Sequence, residues 1–388
     1  MPVYITSDHP VKHAMIKVMF TVLLLGLIAA AGLVILFTFI RLEGALSRHK
    51  YRPVAADVEL PTVSVCIPAR NEMHAMTECL ERVIASEYPK LEIIVLDDSS
   101  VDDTSVLIKS FAHAGVRFVD GRALPDGWLG KNNALQGLLE EASGRYILFL
   151  DVDTTLKPHS ITRIASQLVA SDLPLISVMP QREDGLRASI FLGTLRYFWV
   201  LLTGSTKNPA VSAATWLVSR QKLLGLGGFE RYKDHTQPEI AIAHELGATS
   251  GKQLIISTKE LGVSYEKKWS SQVETSTRLL RPLFGSSMMA IFAATLLFLC
   301  VIAPIGGFVI FLLSSFAAGV YLSVAVLLLA TLLSLRFFKV AWRYGWWLGA
   351  VHWPYVVLQE AVLVLVSVLS YARGSVTWKA RPIKNSQR

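Results

Sequence analysis

Cysteine is scarce in this sequence, and its few occurrences form no recognisable pattern. Cys66, Cys79 and Cys300 are the three cysteines among 388 residues, and they lie far apart in apolar surroundings. Disulfide scaffolds and structural zinc sites both require cysteines that recur at short spacings. Neither kind of scaffold is indicated, and the composition agrees with a reducing compartment.

Charge is missing from long stretches of the chain, although the whole sequence carries a net charge of +8. No Asp, Glu, Lys or Arg occurs in residues 18–40, and none occurs in residues 282–335. A helix needs about 20 apolar residues to cross the hydrocarbon core of a bilayer. We therefore predict a membrane anchor in the first stretch and two spanning helices in the second, with a turn at Pro304, Gly306 and Gly307.

A third apolar stretch, residues 344–372, carries only His352 and Glu360 as ionisable groups. It is predicted to be a further membrane segment that either crosses the bilayer or re-enters it, because Pro354 and Glu360 disfavour a plain crossing. A re-entrant segment would return the basic C-terminal tail to the cytoplasm. The first stretch is longer than the apolar core of a cleaved signal peptide, so a retained anchor is favoured there.

Basic residues lie next to the predicted membrane segments. They follow the first segment and precede the second: Arg41, Arg48, Lys50, Arg52, Arg278 and Arg281. Positive residues favour the cytoplasmic side of a membrane protein, which predicts an integral membrane protein with residues 42–281 in the cytoplasm. The distribution argues against a nucleic-acid partner, because such a partner requires a contiguous basic face.

The chain is therefore predicted to consist of segments of different character. These are an N-terminal tail at 1–17, the anchor at 18–40, a linker at 41–60, a soluble domain at 61–281, two spans at 282–335, a third membrane segment at 344–372 and a basic tail at 373–388. The soluble domain holds the polar motifs discussed next.

Short apolar runs alternate with amphipathic stretches in the soluble domain. The runs predict strands at 62–67, 91–96, 117–119 and 146–150, and the stretches predict helices at 72–86, 104–114 and 131–142. This alternation predicts the α/β class, with a Rossmann-like, mostly parallel sheet covered by helices and transmembrane helices at both ends of the chain. Ligands of such sheets bind beyond the carboxyl ends of the strands.

Polar clusters follow three of the predicted strands. They are Pro68-Ala69-Arg70-Asn71-Glu72, Asp97-Asp98-Ser99-Ser100 and Asp151-Val152-Asp153-Thr154. Carboxylates gathered at one edge repel each other unless a cation lies between them. Carboxylate oxygens suit Mg2+ or Mn2+, so Asp151 and Asp153 are predicted to bind one of these ions. Asp102, Asp103 and Thr104 are instead typical of helix capping.

The polar clusters belong to longer motifs that resemble the family-2 glycosyltransferases of the GT-A fold. In chain order the motifs are PTVSVCIPARNE, IIVLDDSSVDDT, LPDGWLGKNNALQG and GRYILFLDVDTTL. The GW-x-GK motif followed by Ala is similar to the lipid-directed branch, which includes hopene-associated, ceramide and carotenoid-acid glycosyltransferases. The C-terminal VTWKARPI resembles that branch's Trp-Lys/Arg-Gly-Arg tail, with Ala380 at the usual Gly position.

The resemblance, which covers roughly residues 61–383, implies a role for each matching position. The residues that would border the nucleotide are Pro68, Ala69, Arg70 and Glu72, and Asp98, supported by Asp97, would hydrogen-bond the uracil ring. Lys131 would lie over the base and diphosphate. Asp151 would face the ribose and sugar, and Asp153 would bind the metal. The residues themselves leave two alternatives open. Asp97 would then be a buried acid that stabilises its loop, and Arg70 part of a surface ion pair.

The family's catalytic base follows a Gly-Gly-Phe segment, which is present here as Gly227-Gly228-Phe229. Glu239 occupies the position at which the family generally has Asp. The extra methylene moves the carboxylate by about one bond length, and a misplacement near 1 Å can cost about a hundredfold in rate. Glu239 is the predicted base, with Asp234, His235 and Glu245 as alternatives.

A single transfer to a lipid is predicted rather than chain extension. The Gln-x-x-Arg-Trp motif of processive polysaccharide synthases is not found after Glu239, and Lys268-Trp269 and Gln272 do not reproduce its arrangement. Residues 186–203 and 276–284 are rich in apolar and aromatic side chains. Each is predicted either to lie in the membrane interface beside the site or to be a core helix of the domain.

The sequence therefore predicts an inverting, non-processive glycosyltransferase that uses a UDP-sugar resembling UDP-glucose, Mg2+ or Mn2+, and a membrane lipid as acceptor. The alternatives are a polyprenyl-phosphate sugar transferase, a polysaccharide synthase, or a membrane accessory protein weakened by the exchange at Glu239. A transporter is disfavoured because the uncharged spans offer few polar groups to a substrate.

Overall fold

The computed structural model describes residues 9–54, 59–183, 195–204, 209–247, 254–378 and 381–382. Some sequence predictions fall on residues outside these ranges. They concern residues 1–8 of the N-terminal tail, residues 186–194 of the first predicted interfacial stretch, and residues 379–380 and 383–388 of the basic C-terminal tail, which include Ala380.

A seven-stranded sheet forms the centre of the described soluble domain, in the order β3-β2-β1-β4-β8-β6-β9. Its strands are β1 Val63–Ala69, β2 Leu91–Asp97, β3 Val116–Asp120, β4 Tyr146–Leu150, β6 Leu175–Met179, β8 Thr215–Ser219 and β9 Leu254–Ile256. Strand β1 pairs in parallel with β2 and β4, and β2 pairs in parallel with β3. Only β8 runs antiparallel to its neighbours in this sheet, β4 and β6, so the predicted α/β class with a mostly parallel sheet is confirmed.

Helices cover both faces of the sheet because the strands are apolar on both sides. In β1, Val65 and Ile67 pack into one core, whereas Cys66 between them packs into the core on the opposite face. The helices of the soluble domain are α2 Met73–Ile84, α3 Thr104–Ser110, α4 Gly130–Glu141, α5 Ser160–Ser171, α6 Arg196–Thr203, α7 Arg220–Gly225, α8 Pro238–Glu245 and α9 Trp269–Leu283. Such doubly covered strands are typical of parallel sheets.

A second, three-stranded sheet lies beyond the end of β4. It consists of β5 Thr154–Leu156, β7 Gln181–Arg182 and β10 Val263–Tyr265, with β10 in the middle. Tyr265 is paired with Thr154, so the residues that follow β10 lie beside Asp153. This small sheet therefore places a distant part of the chain next to the predicted metal ligands.

Four helices of the described chain are long and apolar enough to cross a membrane. They are α1 His9–Arg48, α10 Ser287–Leu313, α11 Ala317–Ala341 and α13 Trp353–Ala372; the short α12 Trp346–Val351 precedes the last. The predicted membrane helices at both ends of the chain are thus confirmed as candidate spans. A small antiparallel pair, β11 Thr377–Trp378 and β12 Arg381–Pro382, follows α13.

The predicted turn at Pro304, Gly306 and Gly307 is wrong, because all three residues lie inside α10. The chain turns instead after Leu313, where Ser315 adopts a left-handed conformation with φ of 55°. Gly307 serves close helix packing: a Cβ added there would lie 2.3 Å from Cδ1 of Ile28 in α1. Small residues have this role in membrane helices, whose neighbours also support a helix that contains proline.

Glu360 of α13 joins the membrane helices to the soluble domain. It is fully buried, and its carboxylate accepts hydrogen bonds from the backbone N–H of Leu195 at 3.1 Å and from Nε1 of Trp199 at 2.8 Å. A buried carboxylate needs such donors to offset the loss of water. Glu360 therefore fixes the start of α6, which forms one wall of the cavity described below.

The end of α11 also attaches to the soluble domain. Trp342 forms a β-bridge with Arg182 of β7, and the Arg182 guanidinium lies 5.2 Å from the Trp342 ring centroid. Arg343 donates a backbone hydrogen bond to Arg182 and forms an ion pair with Glu183 at 3.3 Å. The C-terminal end of α11 is thereby fixed to the three-stranded sheet.

Candidate active site

A cavity of about 480 Å3 lies beyond the carboxyl ends of β1 and β4. Six of the residues predicted from the sequence line it: Pro68, Glu72, Lys131, Asp151, Asp153 and Glu239. The position agrees with the general rule that ligands of open α/β sheets bind at this edge. The cavity thus brings the predicted metal ligands, the predicted cation and the predicted base into one space.

Asp151 and Asp153 are held in place by main-chain contacts at the end of β4. The backbone N–H of Asp151 donates to the carbonyl of Ala214 at 2.9 Å, and the carbonyl of Asp151 accepts from Thr154 at 2.9 Å. The carbonyl of Asp153 accepts from the N–H of Glu266 at 3.3 Å. Both carboxylates therefore project from a turn that is fixed on both sides.

Each of the two carboxylates forms an ion pair with a lysine. Lys131 Nζ lies 2.6 Å from Asp151 Oδ1, and Lys267 Nζ lies 3.2 Å from Asp153 Oδ2. Burial alone raises the pKa of Asp151, but Lys131, with Lys267 and Arg196, outweighs this effect and holds that pKa below its ordinary value. Asp151 is therefore ionised at neutral pH and available as an anionic ligand.

The predicted Mg2+ or Mn2+ fits this pair of carboxylates if the substrate supplies further ligands. Within the described residues no group of three or more His, Cys, Asp or Glu side chains is arranged to hold a metal. Mg2+ is commonly bound by one or two carboxylates together with phosphate oxygens and water. Asp151 and Asp153 line a cavity that has room for a diphosphate, so their chemistry fits a metal shared with the substrate.

The loops after β1 and β2 support each other. Asp97 is buried and accepts hydrogen bonds from the hydroxyls of Ser100 and Ser105. Arg70 donates to the main-chain carbonyls of Asp98 and Ser99. The geometry of Asp97 matches the alternative left open by the sequence, a buried acid that stabilises its loop.

Four predicted nucleotide-binding residues lie outside the lining of the main cavity. They are Ala69, Arg70, Asp97 and Asp98, which lie together at the adjacent ends of β1 and β2. The backbone N–H of Asp98 donates to the carbonyl of Ala69 at 2.8 Å. Gly121 approaches them so closely that a Cβ there would lie 2.6 Å from the carbonyl oxygen of Asp97. Ala69, Arg70, Asp97 and Asp98 together form a surface beside the cavity, called the nucleotide shelf below.

The N-cap residues of α2 and α3, Glu72 and Asp103, make no side-chain capping hydrogen bond, whereas Asp102 makes local contacts at both helix starts. Its carboxylate accepts from the backbone N–H of Thr104 at 3.1 Å and from that of Met73 at 3.3 Å. The Thr104 hydroxyl in turn accepts from the N–H of Glu72 at 2.8 Å. These contacts tie the start of α2 to the start of α3 and so fix Glu72 at the rim of the cavity.

Glu239 lies in the first turn of α8, directly after Pro238. Its side chain is buried, and Oε1 has no hydrogen-bond partner among the described residues. Burial raises the pKa of Glu239, although Lys131 and Arg196 oppose the shift. A buried carboxylate oxygen without a partner, at the wall of a cavity, is suited to accept a proton from a bound molecule.

Asn132, which was not predicted from the sequence as a functional residue, positions the loop before Glu239. Its amide Nδ2 donates to the carbonyls of Tyr232 at 2.8 Å, Lys233 at 3.2 Å and His235 at 2.8 Å. Asn132 follows Lys131 in α4. The same turn of α4 therefore carries Lys131, which pairs with Asp151, and Asn132, which holds the loop before α8. The signal in the sequence was the asparagine directly after the GK motif.

Five further cations of the cavity were not predicted as site residues: Arg82, Arg196, Lys267, Lys268 and Arg278. Arg278 was interpreted as a charge at a membrane edge, and Arg196 as part of an apolar interfacial stretch. Both arginines lie on short helices of the soluble domain, α6 and α9, of which neither is among the candidate spans. In the described part of the predicted stretches 186–203 and 276–284, α6 and the end of α9 are helical, and both contribute residues to the cavity wall.

The alternative bases lie less favourably than Glu239. Glu245 pairs with Arg231 at 2.9 Å near the opposite end of α8. His235 and Glu245 line a second cavity of about 350 Å3, whose other walls come from α6, α8 and residues 282–283. Thr236 and Gln237 line both cavities, which are therefore adjacent. Pro282 and Leu283 of its lining lie at the end of α9, which precedes α10, a candidate span.

Comparison with known proteins identifies similar sequences and a similar fold. Residues 64–199 match the model described as Glycosyl transferase family 2. The chain is 27% identical over 270 residues to the 4,4'-diaponeurosporenoate glycosyltransferase of Staphylococcus aureus strain MRSA252, covering 65% of this chain and 69% of that protein. The protein of the same name from strain USA300 is 28% identical over 200 residues, covering 48% and 52%.

Among solved structures, the mannosyltransferase PcManGT from Pyrobaculum calidifontis, in complex with GDP-Man and Mn2+, has a TM-score of 0.54. The sequence identity is 16%, and the match covers 90% of this chain and 99% of that chain. At this level of identity the likeness concerns the fold. It agrees with the fold expected from the strand-end motifs.

Proposed function

We propose, because residues 64–199 match the model described as Glycosyl transferase family 2, that the chain transfers a sugar from a UDP-sugar to a membrane lipid. The donor is UDP-glucose or a close analogue, the reaction is metal-dependent and inverting, and one sugar is added per acceptor. The observation that carries the proposal is the single cavity lined by Lys131, Asp151, Asp153 and Glu239.

The donor occupies the edge of the sheet between the shelf and the cavity. The uracil ring lies against the Asp97–Asp98 loop, and the diphosphate lies near Lys131 and Lys267. These two lysines already neutralise Asp151 and Asp153 at 2.6 Å and 3.2 Å. When a diphosphate enters, the lysines remain within reach of its oxygens and compensate the charge of the leaving group.

Asp151 and Asp153 hold the Mg2+ or Mn2+ ion. A bound ion of this kind supplies Lewis-acid stabilisation of the negative charge on the leaving diphosphate. The chain's own residues orient the reactants around it: Lys131 stays at Asp151, and Asn132 keeps the loop before α8 in position. Glu239 Oε1 accepts the proton of an acceptor hydroxyl as the new glycosidic bond forms.

The acceptor is a lipid with a hydroxyl or carboxyl group. The second cavity is lined by residues of α6, α8 and the end of α9 and adjoins the first, and α9 leads into the candidate span α10, so an acceptor can approach from the membrane side. Relatives named for diaponeurosporenoate, a carotenoid acid, align with 65% of this chain and favour an apolar acceptor of the same general kind. A lipid acceptor that enters the second cavity from the membrane and returns to the membrane after the reaction is suited to receive a single sugar.

The catalytic domain lies on the cytoplasmic side, and α13 is a re-entrant segment. Trp353 at the start of α13 donates to the Thr331 hydroxyl at 3.2 Å. Thr331 precedes the end of α11 at Ala341 by ten residues, or about 15 Å, which is half the thickness of the hydrocarbon core. At the other end of α13, the Tyr371 hydroxyl donates to the carbonyl of Arg278 at 2.8 Å. The segment formed by α12 and α13 thus begins beside the soluble domain, where Arg343 pairs with Glu183, and returns to it at Tyr371.

A tag at the C-terminus is therefore expected on the cytoplasmic side. In intact cells it should be inaccessible to a membrane-impermeant label and become labelled after permeabilisation. A second tag placed at Ser315, in the turn between α10 and α11, is the matched control and should be labelled in intact cells. Labelling of the C-terminal tag in intact cells would contradict the re-entrant arrangement.

The overall function is tested with membranes that contain the full-length chain. They are incubated with a panel of radiolabelled UDP-sugars and Mn2+, and the lipid extract is separated and analysed by mass spectrometry. One glycosylated lipid with a single added sugar is expected, and chelation of the metal should abolish it. A polymer in the aqueous phase would instead indicate a polysaccharide synthase, and absence of any sugar transfer would refute the proposal.

A further inference from the structure

Two arginines line the cavity from helices that contact the candidate membrane spans, since α6 contacts α1 and α9 contacts α13. Arg196 is the first residue of α6, and Arg278 lies in the second half of α9. Both line the cavity together with Glu239. The proposed reaction has given neither of them a role.

Neither guanidinium has an ion-pair partner among the described residues. Arg278 Nε is buried without a hydrogen-bond partner in the described part of the chain. The Arg196 guanidinium lies 5.4 Å from the centroid of the Tyr197 ring. Burial and the neighbouring Arg196 lower the pKa of Arg278. Burial also opposes the charge of Arg196, but Tyr197, Asp151 and Glu239 outweigh it and raise the pKa of Arg196. Both arginine side chains are half-buried.

Two guanidinium groups held in this way favour an anion between them. Guanidinium binds carboxylate and phosphate oxygens in a bidentate manner, and it is the preferred cation for such contacts at partly buried sites. Of the nearby carboxylates, Asp151 and Asp153 are already paired with lysines, whereas Glu239 and Glu274 act on Arg278 electrostatically without forming an ion pair with it. Those lysines lie where the donor diphosphate is expected, which leaves the two arginines for a different anion.

The arginines are anchored to the membrane part of the protein rather than to the nucleotide shelf. Leu195, directly before Arg196, donates to Glu360 of α13 at 3.1 Å, and the carbonyl of Arg278 accepts from Tyr371 of the same helix. Leu283, at the end of the helix that carries Arg278, lines the second cavity. The arginine pair therefore lies on the side from which a lipid acceptor arrives.

We propose that Arg196 and Arg278 bind an anionic group of the lipid acceptor, a carboxylate or a phosphate ester, beside Glu239. This inference rests on the proposed function and specifies its acceptor class. The arginines hold the charged end of the lipid inside the cavity while its apolar part lies along the second cavity. A lipid with an uncharged head group is bound more weakly because both guanidinium groups then stay unpaired.

The test measures binding of three probes with the same chain: oleate, oleyl phosphate and oleyl alcohol. The full-length protein in detergent is titrated with each probe in the presence of UDP and Mn2+, and affinities are taken from the rise in melting temperature. We expect at least one anionic probe to bind about tenfold or more tightly than the alcohol, since a hydrogen bond to a charged group is worth that much. Comparison of oleate with oleyl phosphate identifies which anion is preferred.

The variants Arg196→Gln and Arg278→Gln should each lose most of this preference while affinity for the alcohol and for UDP stays within about twofold. Arg278→Lys keeps the charge but not the bidentate geometry and should retain part of the preference. The matched control is Arg122→Gln, which removes an exposed arginine paired with Glu140. A folded variant is recognised by its elution volume and cooperative melting.

Two results would overturn the inference. The first is an equal affinity of the wild-type protein for the alcohol and for both anionic probes. The second is a loss of UDP binding in the glutamine variants as large as the loss of anion binding, which would assign the arginines to the donor. If the wild-type protein binds no UDP at all, the proposed function fails, whereas the preference for anions is still measured independently.

Discussion

Asp153→Asn is expected to reduce sugar transfer by about a hundred- to a thousandfold, the effect typical of removing one group that stabilises developing charge. The substitution keeps the shape of the side chain but removes its charge. It therefore weakens the proposed metal site. It also removes the anionic partner of Lys267, whose Nζ lies 3.2 Å from Asp153 Oδ2 in the wild-type protein. The measurement is the rate of UDP release with membranes, at a donor concentration that saturates the wild-type protein.

The matched control for this variant is Asp172→Asn. Asp172 is exposed, ends α5, and has a left-handed backbone that asparagine also accepts. The control should retain wild-type activity. The concentration of Mn2+ that gives half-maximal activity should rise in Asp153→Asn if residual activity is measurable. Unchanged transfer in this variant would refute a metal role of Asp153 and, with it, the catalytic assignment of the cavity.

Glu239→Gln is expected to lower kcat by about a hundred- to ten-thousandfold for a hydroxyl acceptor, which is the contribution of a general base. Donor binding should be little changed, because glutamine fills the same space and Glu239 is not one of the shelf residues that would hold the nucleotide base. Glu239→Asp should also be slower, by up to about a hundredfold, since the carboxylate withdraws by about one bond length. UDP affinity measured in parallel separates a catalytic loss from a loss of binding.

The pH dependence has a defined sign. A base acts when deprotonated, and burial raises the pKa of Glu239. The wild-type rate should therefore rise with pH, with a midpoint above the ordinary glutamate value of about 4.3. Glu239→Gln should lose this acidic limb. A limb that persists unchanged in the variant would show that another group is the base.

Glu230→Gln is the matched control for Glu239→Gln. Glu230 is exposed, precedes α8 and lines neither of the two cavities described above. It should keep nearly full activity. Glu245 pairs with Arg231 at 2.9 Å and lines the second cavity, so Glu245→Gln tests it as the alternative base. A large loss in Glu245→Gln together with normal activity in Glu239→Gln would reverse the assignment.

The strand-end residues were predictable because local sequence fixes where they lie. The run YILFL is apolar enough to be a buried strand, so the residues that follow it, Asp151 and Asp153, must lie at the edge of the sheet. The same reasoning placed Asp97 and Asp98 at the end of β2. The α/β class follows from the same alternation of strands and helices.

The rest of the site could not be predicted because it depends on contacts between distant parts of the chain. Lys267 reaches Asp153 only because β10 pairs with β5, and that pairing has no local signature in the sequence. Arg278 joins the cavity because α9 packs along α13. Pro304 was misinterpreted because a proline that ends a helix in water is tolerated inside a membrane bundle.

The contacts of Glu360 limit where the chain can be shortened without loss of structure. A fragment that ends at residue 281 resembles a self-contained enzyme domain, yet it would lack the acceptor of the Leu195 N–H and the Trp199 indole. It would also lack Trp342, which covers Arg182. Truncation would thus loosen α6 and β7, the elements that carry Arg196 and lie next to Glu183 in the cavity wall. The hydrophobic C-terminal part is therefore a structural component of the catalytic unit, and full-length protein is the minimal material for enzymology.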